Sequence, residues 1–362
     1  MFHADHVGSL LRPGFLLEAR RAHADGSLTD AELRGAEDRA VLAALEGQER
    51  VGLPIFTDGE LRRGSWVTDM AEAVEGFVSQ SRMVTWHGPE GGQEPSTSKV
   101  VGSRLVPHRG LTALETGFLA DHAPGPVKVT LPAASNFYVV GWMPGVTDQA
   151  YASRAEMMAD VVSILRAEVE ALVDAGVSYI QMDSPYYASF MDEAERERLV
   201  EAGVDPDDGL SAAVAADNAC FAGVGGEHVV RALHVCRGNS RSRWLAEGTY
   251  DVVAESLFGG LDVDRLLLEY DAPRHGDFSP LRFVPEGTTV VLGLVTTKEG
   301  ALEGGDDLLR RIDDAARYVP MERLALSPQC GFASVAEGNR LSEEDQWRKL
   351  ELVVATAAKA WG

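Results

Sequence analysis

The sequence has little cysteine, little positive charge and no long apolar run. Its 362 residues contain three cysteines, and 33 lysines and arginines stand against 56 aspartates and glutamates, which gives a net charge of −23. This field repels a phosphate backbone and an anionic membrane surface, so neither nucleic acid nor a membrane is an expected partner. No apolar run reaches the roughly 18 residues of a membrane-spanning helix, and the first residues do not resemble a secretion signal.

The three cysteines lie far apart, at Cys220, Cys236 and Cys330. Their odd number and wide spacing are not the pattern of a disulfide framework, so the cytoplasm is the expected location. A hydrophobic fraction of 45% is ordinary for a globular protein and sufficient for a large core.

Short apolar segments alternate with amphipathic patterns along the whole chain. Strands are predicted at residues 3–9, 54–60, 127–133, 179–185, 228–237, 265–271, 289–298 and 324–331. Helices are predicted at residues 30–49, 154–175, 209–222, 306–318 and 342–360. Eight strands alternating with helices favour an α/β fold of the (β/α)8 TIM-barrel type over a doubly wound sheet, and polar residues follow nearly every strand, as at the rim of a barrel.

One segment interrupts this alternation. Residues 70–125 contain a Gly-, Pro- and Ser-rich stretch, HGPEGGQEPSTSK, followed by a segment of alternating apolar and polar residues. This pattern predicts a β-hairpin insertion after the second strand. The whole chain, residues 1–362, is predicted to be a single domain that contains this insertion.

Soft metal ligands lie at the ends of three predicted strands. His234 and Cys236 are two apart in one strand and so share a face, Glu269 ends the next strand, and Cys330 ends the last. Taken alone, each of these residues is as compatible with ordinary packing as with metal binding. Because strand ends converge on one rim of a barrel, the four together predict a site for Zn²⁺, which prefers thiolate, imidazole and carboxylate.

These residues resemble the C-terminal, catalytic half of cobalamin-independent methionine synthase, in a short form without the N-terminal duplicate. The resemblance implies that zinc is held by the four residues above and that a substrate thiol binds it as thiolate. Three further motifs extend the likeness along the chain: Val7-Gly8-Ser9, Asp58-Gly59-Glu60 and Ile180-Gln181-Met182-Asp183-Ser184-Pro185.

The resemblance also implies roles for individual residues on the thiol side. Ser9 lies in a motif that contacts the amino-acid substrate, and Glu60 and Asp183 match carboxylates that hold the ammonium group of homocysteine. Two carboxylates near one site could instead form an acid–base pair with separated pKa values. The ammonium clamp is favoured because the motifs match.

Departures from the family fall on the side of the alkyl donor. Arg104 lies in a stretch that resembles the residues around the folate site of the family. The family has a tryptophan that stacks on folate, and this chain has Phe137 and Tyr138 near that position instead. Either aromatic ring could stack on a flat donor. Lys298 replaces a catalytic histidine and is expected to bind an anionic group more readily than to donate a proton, because an ordinary lysine is a weak acid.

The sequence therefore predicts a zinc-dependent thiol alkyltransferase that methylates homocysteine or a related small thiol. The alkyl donor could be a small molecule or a methyl-delivering protein. A similar short architecture occurs in epoxyalkane–coenzyme M transferases, so addition of the thiol to an epoxide or another electrophile, formally a lyase reaction, is the alternative. A structural zinc in a binding module is less favoured, because structural sites usually draw ligands from closely spaced loops.

Overall fold

The computed structural model describes residues 2–65, 67–224 and 229–362. Its β-strands are β1 (Val74–Trp86), β2 (Gly92–Pro107), β3 (Lys128–Pro132), β4 (Tyr179–Ser184), β5 (Val230–Val235), β6 (Arg265–Glu269), β7 (Thr289–Val295) and β8 (Leu324–Pro328). Strands β3 to β8 form one parallel sheet in chain order. Helices connect them, so the sheet is built from successive β–α–β units.

Two further segments join the open edges of this sheet and close it. Ala4 forms a parallel bridge with β8, and Phe56 forms a parallel bridge with the residue that precedes β3. The two segments meet each other where the backbone N–H of Leu10 donates to the carbonyl of Gly59 at 3.0 Å. Eight parallel segments therefore surround one axis, and the predicted (β/α)8 barrel is confirmed.

The interior of the barrel contains a compact apolar cluster with one member from each of seven segments. Its buried residues are Val7, Ile55, Tyr179, Ala232, Leu267, Val291 and Ala325. A closed ring brings such widely separated residues together, whereas an open sheet would hold its edge residues far apart. A second, larger apolar cluster packs the outside of the barrel against the helices.

The predicted strands at residues 3–9 and 54–60 are wrong in extent, because each is reduced to a single bridge. Positive φ angles of 141° at Gly8, 71° at Gly59 and 55° at Glu60 turn the backbone out of a regular ladder. The hydroxyl of Thr57 donates to the carbonyl of Gly8 at 2.9 Å, in place of a backbone partner. The predicted strand at 228–237 is β5, although His228 lies outside the described residues.

The helices are α1 (Gly14–Ala24), α2 (Asp30–Val51), α3 (Thr68–Ala73), α4 (Thr116–His122), α5 (Ala134–Val140), α6 (Arg154–Asp174), α7 (Glu193–Glu201), α8 (Pro206–Phe221), α9 (Ala254–Phe258), α10 (Gly305–Ala315) and α11 (Glu343–Trp361). Thr29 forms a capping box with Glu32 at the start of α2, and Ser342 forms one with Asp345 at the start of α11. Gly52 ends α2 in the left-handed region, at φ 80°. Within the described ranges, none of the helices has the length and apolar character needed to cross a bilayer.

The interruption at residues 70–125 contains the predicted hairpin. Strands β1 and β2 pair antiparallel from Val74 opposite Pro107 to Trp86 opposite Gly92, with one bulge near Gly76. The far end of the hairpin returns to the barrel, because His87 bridges Trp244 in the loop after β5. The insertion thus lies over the carboxyl ends of the strands.

A charged cluster fills the opposite end of the barrel. The Asp5 carboxylate accepts hydrogen bonds from Lys128 at 2.6 Å, Tyr179 at 2.9 Å and Arg265 at 3.1 Å. Burial opposes ionisation of Asp5, but the two cations outweigh burial and lower its pKa. Lys128, Tyr179 and Arg265 each begin a strand, so the cluster stabilises the barrel at the end away from the candidate site.

Candidate metal centre and substrate cavity

The four sequence-predicted metal ligands meet at the carboxyl ends of the barrel strands. His234 lies in β5, Cys236 follows that strand, Glu269 ends β6, and Cys330 lies two residues beyond β8. One ligand atom from each of them lies within 4.8 Å of all the others, and the two sulfur atoms are 3.5 Å apart. All four residues are buried.

Hydrogen bonds orient these side chains and leave specific atoms free. His234 Nδ1 donates to the carbonyl of Leu267 at 3.2 Å, which fixes the tautomer and leaves Nε2 as the free nitrogen. Glu269 Oε1 accepts from the backbone N–H of Arg237 at 2.9 Å. Across the described part of the chain, neither His234 Nε2 nor Glu269 Oε2 has a hydrogen-bond partner.

Two sulfurs, one imidazole nitrogen and one carboxylate oxygen form a donor set that fits zinc. Buried polar atoms without a partner are costly, and a metal ion would satisfy His234 Nε2 and Glu269 Oε2 together. A hydrogen bond from Cys236, followed by the influence of His234, lowers the pKa of Cys330. A lowered pKa favours the thiolate form of Cys330, which is the form that binds a metal ion.

A cavity of about 480 Å³ opens above the ligand cluster. His234, Cys236 and Cys330 line its floor, and residues of β1 and β2 line its outer wall. The hairpin contributes Phe77, Arg82, Val84, Trp86, Glu94, Ser96, Thr97, Ser98 and Lys99. A space of this size, bounded by a potential metal centre and several aromatic rings, suits a small organic substrate.

Glu60 and Asp183 face the same cavity from two other strand ends. Glu60 Oε1 accepts from the Thr130 hydroxyl at 3.1 Å, and Asp183 Oδ1 accepts from Gln181 at 2.8 Å. Burial raises the pKa of Glu60 and raises that of Asp183 to about 7. A cationic group in the cavity would compensate these two buried carboxylates.

Ser9 and Phe137 also line the cavity. The chain after Cys330 approaches Ser9 so closely that a Cβ at Gly331 would lie 1.9 Å from the serine oxygen, so a larger residue at this position would displace the Ser9 hydroxyl. The ring of Phe137 packs against that of Phe77 with centroids 5.7 Å apart. These contacts fix two further parts of the cavity wall.

Lys298 lies beside the ligand cluster rather than on the cavity wall. Its ammonium group donates to Asn239 Oδ1 at 3.4 Å, and its charge acts on Cys236, Glu269 and Cys330. A positive charge there would offset the negative charge that the cluster carries when its ligands are ionised. The predicted catalytic role of Lys298 stays a prediction.

Arg104 and Tyr138 do not line the cavity. The side chain of Arg104 is 53% exposed and forms ion pairs with Glu156 and Asp160, the closer of them with Glu156. The carbonyl of Tyr138 accepts from Arg154, whose guanidinium also lies over the Tyr138 ring. The structure therefore does not bring these two predicted donor-binding residues together with the others.

Sequence reasoning missed the contribution of the hairpin and of the loop after β6. Arg82 reaches the cavity and donates to the Tyr186 hydroxyl at 2.9 Å, and His275 lies behind Glu269. The hairpin pattern was visible in the sequence, but nothing in it indicated which face would cover the site. No sequence signal distinguished His275 from an ordinary buried histidine.

Comparisons with known proteins agree with this geometry. The family model for the catalytic domain of the cobalamin-independent synthases matches residues 139–358. The chain is 37% identical to the uncharacterized protein YxjH of Bacillus subtilis over 366 residues, covering 99% of this chain and 95% of that one. It is 24% identical to a methionine synthase of Saccharolobus islandicus over 356 residues, covering 95% of each.

A solved structure from Listeria monocytogenes, described as a candidate vitamin-B12 independent methionine synthase, has a TM-score of 0.75 with this chain. The two are 28% identical, and the match covers 100% of this chain and 98% of that one. The matched family model and relatives imply a methyltransferase. The chain belongs to the cobalamin-independent methionine synthase family, and the part of the family that it matches is the catalytic domain.

Proposed function

We propose that this protein is a zinc-dependent thiol alkyltransferase that methylates homocysteine or a related small amino thiol. The observation that carries the proposal is the cluster of His234, Cys236, Glu269 and Cys330, in which one ligand atom of each lies within 4.8 Å of the others and three of the four line the cavity floor. Zinc bound there would deprotonate a substrate thiol and fix its sulfur for attack on an alkyl carbon. We propose that the whole chain acts as one catalytic unit.

The remaining residues would bind and orient the substrates. Glu60 and Asp183 would hold the ammonium group of the thiol substrate, and Ser9 would border the same end. Phe137 would contact the alkyl donor from the cavity wall. In the reaction, the thiol proton would pass to solvent when the thiolate forms, the sulfur would use an electron pair to bond to the alkyl carbon, and the pair of the broken bond would stay on the donor, which would then take up a proton.

Glu269 is the ligand that we expect to yield to the substrate thiol. A carboxylate is the hardest of the four ligands and therefore the weakest match for zinc beside two thiolates. Exchange of Glu269 leaves the two cysteines and the histidine in place. A coordination position that a substrate can occupy, such as the one that Glu269 would vacate, distinguishes a catalytic zinc site from a closed structural one.

Addition of the same thiolate to an epoxide is the second candidate. Arg104 and Tyr138, both outside the cavity, give no support to a folate-type donor site.

Product analysis separates the two candidates. We expect zinc-loaded protein to convert homocysteine to methionine with methyltetrahydrofolate or another methyl donor, as measured by mass spectrometry. A parallel reaction with a small epoxide tests the alternative, and Cys330→Ser serves as the inactive control for both. If fully zinc-loaded protein alkylates thiols with neither class of electrophile, the proposal is wrong.

A further inference from the structure

A second buried group lies directly behind the Glu269 ligand. His275, in the short turn Pro273–His275 after β6, is fully buried, and its Nε2 is 3.7 Å from Glu269 Oε2. Neither atom has a hydrogen-bond partner among the residues that the structure describes. Two unpartnered polar atoms that face each other inside a protein call for an explanation.

The surrounding hydrogen bonds assign the tautomer of His275. The backbone N–H of Ala272 donates to His275 Nδ1 at 3.3 Å, so Nδ1 is an acceptor and the ring proton is on Nε2. Asp271 Oδ1 also lies 3.4 Å from this ring nitrogen, but the two do not form a hydrogen bond. His275 therefore directs an N–H donor at the Glu269 carboxylate.

Glu269 Oε2 has two alternative partners. Oε1 is held by the backbone N–H of Arg237, which leaves Oε2 as the unpartnered oxygen of a residue that belongs to the ligand cluster and also lies beside His275. The separation of 3.7 Å from His275 is too long for a hydrogen bond, and a movement of about 1 Å would form one. The oxygen can therefore serve the metal or the imidazole by a small shift.

We propose that His275 is a positioning residue that receives the Glu269 carboxylate when a substrate thiol takes its place in the cluster. This inference rests on the proposed function. A displaced carboxylate at this buried position would keep the Arg237 N–H on Oε1 but leave Oε2 without a partner, and the Nε2–H of His275 removes that penalty. Glu269 stays ionised and no proton moves between the two residues.

Two substitutions separate this role from ordinary packing. His275→Gln places an amide N–H near the position of Nε2 and keeps the donor toward Glu269. His275→Asn can accept from Ala272 in place of Nδ1, but its shorter side chain does not reach Glu269. The two variants have similar polarity. If His275 had a merely structural role, His275→Gln would bind homocysteine no better than His275→Asn.

The experiment uses zinc-loaded protein and homocysteine. The Kd of homocysteine is measured by calorimetry, and the sulfur content of the zinc shell is measured by X-ray absorption with and without the thiol. We expect the wild type and His275→Gln to gain one sulfur on adding homocysteine. His275→Asn is expected to bind homocysteine about 10-fold more weakly, while its zinc content without thiol is unchanged.

The outcomes distinguish the inference from the proposed function. If His275→Asn binds homocysteine as tightly as the wild type and gains the same sulfur, His275 does not receive Glu269, although the proposed function stands. If the Gln and Asn variants lose affinity equally, with zinc retained, the donor role is also wrong. If the wild type gains no sulfur, both the proposed function and this inference fail.

Discussion

Replacement of Cys330 by serine is expected to release zinc from the protein. A serine hydroxyl is not ionised at neutral pH and is a poor zinc ligand, whereas the Cys330 sulfur lies 3.5 Å from that of Cys236 in a buried site. Because loss of a group that only supports a ligand already costs about 10- to 100-fold in metal affinity, loss of a ligand should cost at least about 100-fold. Zinc is measured by elemental analysis after dialysis against a chelator of defined affinity.

The third cysteine provides the matched control for this experiment. Cys220 is buried in α8, where its thiol contacts the Ala216 carbonyl at 3.3 Å, and it does not belong to the ligand cluster. Cys220→Ala removes a buried thiol at another place and should keep a full complement of zinc. Full zinc retention by Cys330→Ser, under conditions in which the wild type also retains it, would remove Cys330 from the metal site.

Replacement of Glu60 by glutamine is expected to weaken binding of an amino thiol without affecting zinc. Glu60 is buried on the cavity wall, and its Oε2 has no hydrogen-bond partner in the described structure. A hydrogen bond to a charged group contributes about 1.5–3 kcal/mol, so the KM for homocysteine should rise about 10- to 100-fold. Steady-state kinetics and zinc analysis on the same preparation measure both quantities.

A thiol without the amino group is the control for the role of Glu60. If Glu60 holds an ammonium, Glu60→Gln should raise the KM for homocysteine and leave unchanged the KM for its analogue in which hydrogen replaces the amino group. A fall in kcat with both thiols would instead indicate that Glu60 and Asp183 form an acid–base pair. Loss of zinc from the variant would show that Glu60 supports the metal centre.

The barrel and the ligand cluster were the most predictable parts of this molecule. Strand periodicity and the order of elements led to the (β/α)8 fold, and the carboxyl ends of the strands are where such a barrel assembles a site. His234, Cys236, Glu269 and Cys330 meet because each ends or follows a strand of the same ring. Their role in binding zinc stays a prediction.

Backbone conformation limited the prediction of the first two segments. An apolar run predicts a strand, but the positive φ angles at Gly8, Gly59 and Glu60 depend on how the chain packs around the cavity. Glycine is compatible with either backbone region, and a glutamate at positive φ has no distinctive sequence pattern.

Side-chain direction limited the prediction of the donor side. Phe137 and Tyr138 are neighbours on α5, and consecutive residues of a helix point about 100° apart, so only Phe137 faces the cavity. Arg104 is bound by acidic residues of α6. His275 reaches Glu269 through the turn that follows β6, and loop geometry of this kind cannot be read from a sequence.

Cobalt substitution offers the most direct test of an exchangeable, thiol-binding metal centre. Co²⁺ replaces zinc in the protein, and the visible spectrum is recorded while homocysteine is added. The account predicts a saturable change, with a stronger sulfur-to-cobalt band, because the substrate thiolate replaces the Glu269 carboxylate. A cobalt spectrum that is unaffected by homocysteine, in folded and fully loaded protein, would mean a closed structural site and would contradict the account.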